Sequence, residues 1–121
     1  MFFLGKKHRV DLCLEKEFYQ PGERVEGTIK LEKRNRDKMT RLEVELWELA
    51  KGGKWEYIDH VRSFLLGDEL EAGQSRVVEF QTVLPASCCH TKQYRLKTKL
   101  VTERNKMQVD HDPINILPTW S

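Results

Sequence analysis

Residues 10–32 read VDLCLEKEFYQPGERVEGTIKLE, two strand-like runs joined by Gln20-Pro21-Gly22-Glu23. In the second run Val25, Gly27, Ile29 and Leu31 share one parity. Arg24, Glu26, Thr28, Lys30 and Glu32 share the other. A period of two gives one apolar and one charged face, which is the pattern of a half-buried strand and not of a helix. Pro presets φ at the first centre of a type II turn, and Gly accepts positive φ at the second. The residues leave open whether this connection stays within one sheet or crosses between two.

The same alternation recurs along the chain. Val10, Leu12 and Leu14 alternate with Asp11, Cys13 and Glu15. Residues 34–38 form a polar loop rich in positive charge. Leu42, Val44 and Leu46 then face away from Arg41, Glu43, Glu45 and Trp47. Lys51-Gly52-Gly53-Lys54 is a hairpin signal. A two-residue loop there sets Lys51 opposite Lys54, Glu43 opposite Arg62, Val44 opposite Val61 and Glu45 opposite His60. It also sets Leu46 opposite Asp59, a mismatch that calls for a bulge or a longer loop. Trp47, Trp55 and Tyr57 gather near this hairpin end. After the acidic loop 67–74, Val78, Phe80, Thr82 and Leu84 share a parity, and Pro85 stops the strand. Tyr94, Leu96, Thr98 and Leu100 alternate with Arg95, Lys97 and Lys99. The final strand, 107–109 and 113–117, is expected to be interrupted at Asp110-His111-Asp112. No segment sustains a 3.6-residue apolar period. The reading is an all-β, immunoglobulin-like antiparallel β-sandwich of about seven strands, without the Cys…Trp…Cys pin.

At 121 residues the chain suits one domain, divided here into an arm (1–8), the sandwich (9–118) and a tail (119–121). The net charge of +2 is too small to name a partner, so electrostatic function rests on local patches. Three cysteines, two of them adjacent at Cys88-Cys89, argue against a disulfide framework and for reduced thiols. Met1-Phe2-Phe3-Leu4-Gly5-Lys6-Lys7 is short for a signal peptide, and no apolar run approaches a membrane span. A soluble cytoplasmic protein is expected.

Tyr19-x-Pro21-Gly22-Glu23-x-Val25-x-Gly27-x-Ile29 resembles the opening signature of arrestin-like N-terminal domains. Gly73, Phe80 and Leu84-Pro85 resemble the family's next strand. Tyr94-Arg95-Leu96-Lys97 resembles the one after it, and Pro113-Ile114-Asn115-Ile116 its closing strand. The pieces fall in the family's order over residues 9–118. The resemblance implies a non-enzymatic adaptor or scaffold that binds other proteins, without cofactor. The group includes arrestins, retromer-type sorting subunits and bacterial sporulation-control proteins. Arrestins carry two such sandwiches and this length holds one, so none of their interdomain phosphate-sensing residues is carried over. A lone sandwich is expected to pair with a protein partner or a second copy along an exposed edge strand.

Arg95, Lys97 and Lys99 share one strand face, and Lys6 and Lys7 precede the first strand. These five are the candidate anion- or partner-binding residues, for phosphate, acidic peptide or a peripheral contact with anionic lipid together with Phe2-Phe3-Leu4. The simpler reading is a solvated face paired with glutamates such as Glu43 and Glu45. Nucleic acid is disfavoured, because the stripe lacks interleaved aromatics. Cys88-Cys89-His90 and Asp110-His111-Asp112 contain ligand types without zinc spacing, and no catalytic motif is present.

Overall fold

The computed structural model describes residues 7–67 and 70–118. The described residues form eight strands: β1 (Arg9–Leu14), β2 (Phe18–Tyr19), β3 (Arg24–Glu32), β4 (Met39–Leu49), β5 (Trp55–Leu65), β6 (Ser75–Val83), β7 (Tyr94–Thr102) and β8 (Met107–Ile116). They form an open sandwich of two sheets, ordered β1-β3-β6 and β2-β8-β7-β4-β5. All pairings are antiparallel except the short β2–β8 contact, which is parallel. The extra strand beyond the expected seven is β2.

The predicted inward parities build the core. Val25, Ile29 and Leu31 of β3 and Phe80 of β6 meet Leu42, Val44, Leu46, Leu96, Leu100 and Ile114 of the other sheet, and all are buried. Each such side chain contributes roughly 1.5–3 kcal/mol when removed from water.

Gln20-Pro21-Gly22-Glu23 is the expected turn: Glu23 N–H donates to the Gln20 carbonyl at 3.0 Å, and Gly22 has φ 78°. Its flanks resolve the open question. β1 and β3 are neighbours in one sheet, while Phe18–Tyr19 between them crosses to the other and lies beside Asn115–Ile116 of β8. Tyr19 anchors the crossing. Its hydroxyl donates to Lys16 O at 2.9 Å and accepts from Lys16 N–H at 3.3 Å, with the side chain buried. Replacing Tyr19 with Phe is expected to cost about 1 kcal/mol in urea unfolding, the net worth of such a bond. A loss below a few tenths would show that the bond does not hold the crossing.

Three expectations are corrected. The β4–β5 loop has three residues, because Leu49 faces Trp55 and Ala50 N–H donates to Lys54 O at 2.7 Å, with Gly52 and Gly53 both at positive φ. Lys51 therefore does not face Lys54. Glu45–His60 and Leu46–Asp59 pair as expected, but Glu43 faces Ser63 and Val44 faces Arg62. Two bulges, at Ile58 and Val61, absorb the difference. Finally, β8 runs unbroken through Asp110-His111-Asp112.

Candidate functional site: the strand edges

An open sandwich has edges whose backbone donors and acceptors must be covered, blunted or used. The fold treats each edge differently. At β1, Glu15 N–H donates to Glu26 O at 3.0 Å, so in this antiparallel ladder the odd residues face β3 and the N–H of Leu12 points outward. The Asp110 carboxylate, reaching from the inner face of β8, accepts that N–H at 2.8 Å and occupies the middle of the edge. Beside it, Asp112 is hydrogen-bonded to Asp110, and burial, that hydrogen bond and the Asp110 charge push its carboxyl up to about 7. Two carboxyl groups in contact hold one proton between them. Thus Asp110 and Asp112 are an inter-sheet clip. Their alternation with His111 and Pro113 disguises this in the sequence, since an inward carboxylate and a solvated one read alike.

β5 is an edge of 11 residues, but its two bulges interrupt the ladder and twist it. Its first half is occupied by a side-chain cluster on the outer sheet face. Trp47 and Tyr57 meet edge to face at 5.8 Å, the Lys97 ammonium lies 4.9 Å over Trp47, and the Arg95 guanidinium lies 4.1 Å over Trp55. The aromatics expected near the hairpin do converge, and they do so on the basic strand.

This bears on the candidate cations. Lys99 Nζ stands 2.8 Å from Glu45 and 3.6 Å from Glu43. The hydrogen bond to Glu45 raises the Lys99 pKa above its ordinary value, against the opposing effect of burial. Burial pushes Glu45 up, but hydrogen bonds from Lys99 and Trp47 outweigh it and hold the carboxyl below its usual range. Lys99 is therefore neutralised in place, and Lys97 and Arg95 are drawn onto indole rings. The stripe is brought together with carboxylates and aromatics rather than presented as a row of cations. Lys7 is exposed and begins the described chain; Lys6, with Phe2-Phe3-Leu4, lies outside the described residues.

The fold-signature residues serve packing. Tyr19, Phe80 and Tyr94 are buried, and the Tyr94 hydroxyl accepts the Cys89 N–H at 3.0 Å. Pro21, Gly22 and Glu23 shape the turn; Lys16 pairs with Glu23 across it. Pro85 follows Leu84 just past β6, and its carbonyl accepts the Cys88 N–H at 3.2 Å. Gly27 lies under the backbone of β1. One buried residue had no signal in the sequence. The His8 ring accepts Arg34 N–H at Nδ1 (3.0 Å) and donates from Nε2 to Asp37 O (2.8 Å), pinning the 34–38 loop.

Among the described residues no three His, Cys, Asp or Glu side chains converge as a metal site. Cys88 is buried, which raises its thiol, whereas Cys89 is lowered by its Thr91 hydrogen bonds. Cys89 Sγ stands 3.0 Å from Thr91 Oγ1. Among the described residues no helix is long and apolar enough to cross a membrane.

β6 differs from the other edges. It ends its sheet, and it pairs with β3 from Arg24–Val83 to Glu32–Ser75 without a register shift. Lys33 N–H donates to Gln74 O, and Leu84 N–H to Glu23 O, both at 2.9 Å. The even positions of β6 therefore face β3, and the backbones of Val77, Glu79, Gln81 and Val83 point off the sheet. Among the described residues no strand lies beyond them. Val77 and Val83 are 58% and 60% exposed, large values for β-branched residues on a regular strand.

A family model described as "SpoOM protein" matches residues 5–121. The chain is similar in structure to Spo0M, sporulation control protein, from Bacillus subtilis, at TM-score 0.67 and 24% identity, over 93% of this chain and 50% of that one. It thus spans about half the length of that protein. Two superoxide reductase (neelaredoxin) structures from Ignicoccus hospitalis share the fold at TM-score 0.56 and 8% identity, covering 91% of this chain and 79% and 80% of theirs. Comparison with curated proteins gives no significant match.

Proposed function

The chain belongs to the SpoOM protein family, and on that footing we propose that it is a non-enzymatic, arrestin-like scaffold domain that captures an extended segment of another protein along β6. The observation that carries this reading is the unbroken nine-residue ladder of β6 with an outward row of backbone groups at 77, 79, 81 and 83. An added strand gains main-chain hydrogen bonds along that row, and Val77 and Val83 offer apolar contacts to its alternate side chains. The contrast with β1, where Asp110 takes the Leu12 N–H, and with β5, bulged twice, favours β6 over those two edges. Sporulation control, as named for the Bacillus subtilis protein, fits a regulatory binding role. The reading of Lys7, Arg95, Lys97 and Lys99 as an anion or membrane site has weaker support, because Lys99 is already paired.

Gln81→Pro tests the proposal. The Gln81 N–H points off the sheet, so proline there leaves the β3 ladder intact and removes one outward donor at an edge. Proteins retained from the native cell by the unaltered chain should be lost with Gln81→Pro, while its melting temperature moves little. Their binding should also slow amide exchange at 77, 79, 81 and 83. Capture that is indifferent to the proline would reject β6 as the docking edge.

A further inference from the structure

β6 is complementary to itself in one register. We propose that, in the absence of another partner, two copies of this chain pair antiparallel through β6 about a two-fold axis at Phe80, joining their three-stranded sheets into one sheet of six strands. This rests on the reading of β6 as an open edge and names its occupant.

A two-fold pairing must match outward residues with outward residues. With the axis at Phe80, Val77 faces Val83 of the second copy, and Glu79 faces Gln81 of the second copy. Each contact occurs twice. Val77, Glu79, Gln81 and Val83 then lie in hydrogen-bonded pairs, which provides about eight backbone hydrogen bonds, while Ser75, the fifth outward residue of β6, faces Pro85 of the second copy. Neighbouring registers are worse. An axis at Glu79 sets two carboxylates against each other. An axis at Val78 sets Val77 against Glu79 and leaves Val83 without a partner strand. An axis at Gln81 sets Val83 against Glu79.

The flanking strands agree with the chosen register. Arg24 is paired with Val83, and Lys30 with Val77. Across the joint the row reads Arg24, Val83, then Val77 and Lys30 of the second copy. The two valines are thereby flanked by the aliphatic stems of long cations, which shield them while their charges stay in water. The next row reads Glu26, Gln81, then Glu79 and Thr28 of the second copy. There Gln81 separates two glutamates that direct contact would set in repulsion. The outward positions 77–83 thus carry valine at both ends and a single charge between them. The four symmetric contacts contain no clash of like charge. An isologous interface requires that self-complementarity. An edge contact of this kind belongs to the small, weak class of interfaces, so association is expected at micromolar or higher protein.

Gln81 gives the register a signed test. In this pairing Gln81→Lys sets the introduced ammonium against Glu79 of the second copy twice, and Gln81→Glu sets two carboxylates together twice. From cross-strand pair energies, the dimer dissociation constant should fall about tenfold with lysine and rise about tenfold with glutamate. Both variants leave the β3-facing hydrogen bonds in place, and thermal melting at micromolar protein checks that they fold. The measurement is sedimentation equilibrium of each full chain across a wide concentration range. Combining Glu79→Lys with Gln81→Glu should restore association. An unaltered chain that stays monomeric, or lysine and glutamate variants that shift the constant in the same direction, would overturn the pairing.

The two readings of β6 fail separately. Gln81→Glu weakens self-pairing but keeps the outward backbone, so capture of another protein should persist or improve. Capture without any dimer rejects the self-pairing alone; a dimer without capture rejects the scaffold reading alone.

Discussion

Gly27→Ala is expected to lower the stability of the sandwich by about 2 kcal/mol, the scale of forcing an extra methyl into a site with no room. A Cβ at Gly27 would stand 2.3 Å from Cys13 O, 3.1 Å from Cys13 C and 3.2 Å from Leu14 Cα. All three are backbone atoms, so no rotamer change relieves the contact. β1 must move off β3 at the Leu14–Gly27 pair, and that movement is transmitted to Leu12, which is buried in the core and donates its N–H to Asp110. The alternation in residues 24–32 places Gly27 among apolar residues, as if it were a weak core position. Its actual role is to allow close backbone approach. Urea unfolding measures the loss, with Thr28→Ala, one residue on in the same strand, as the reference. A Gly27→Ala variant within about 0.5 kcal/mol of the unaltered chain would show that β1 can shift at little cost.

Asp112→Asn is expected to stabilise the protein at pH 8 and to do little at pH 4. The Asp112 carboxyl is raised to about 7 in the fold from an unperturbed 3.8, first by burial and then by its hydrogen bond to Asp110. Between those values the folded chain binds more protons than the unfolded one, so this group makes stability fall as pH rises through that window; above about 7 the penalty is complete. Each unit corresponds to about 1.4 kcal/mol. Partial exposure of Asp112 screens the charge, which reduces the expected gain to about 1–2 kcal/mol. Asparagine keeps a donor toward Asp110 and cannot ionise. Its Oδ1 also stands in for a carboxyl whose Oδ2 is buried without a hydrogen-bond partner among the described residues. The check is the difference in melting temperature between Asp112→Asn and the unaltered chain from pH 4 to 8. Carboxylates other than its partner Asp110 contribute to both proteins and cancel. A difference that is flat with pH would mean that Asp112 is ionised in the fold throughout.

These two residues show how far local pattern reaches. The inward sets Val25, Ile29, Leu31 and Leu42, Val44, Leu46 follow from period two and burial, and the fold places them in the core as expected. Pro21-Gly22 specifies its turn because φ preferences belong to the residues themselves. The order of Tyr19, Pro21, Gly22, Phe80 and Tyr94 pointed to a group that includes sporulation-control proteins, and the family match covers nearly the whole chain. The hairpin was located correctly and in register at Glu45 and Leu46, but off by one residue on either side of them, because the two bulges lie on β5. Asp110 and Asp112 looked like a break in the last strand, since nothing local reveals that β1 lies across from them.

What the sequence determined by itself is therefore the main strands, their buried faces and the Pro21-Gly22 turn, all of which depend on side chains and φ preferences within a few residues. Only the tertiary structure decided which edges are occupied or bulged and which is open. Every residue other than proline carries the same backbone donor and acceptor, so no residue in 75–83 records that nothing pairs with its far side. That property of β6 exists only because β3 takes one flank, while Asp110, some hundred residues from Leu12 along the chain, occupies the middle of the β1 edge instead.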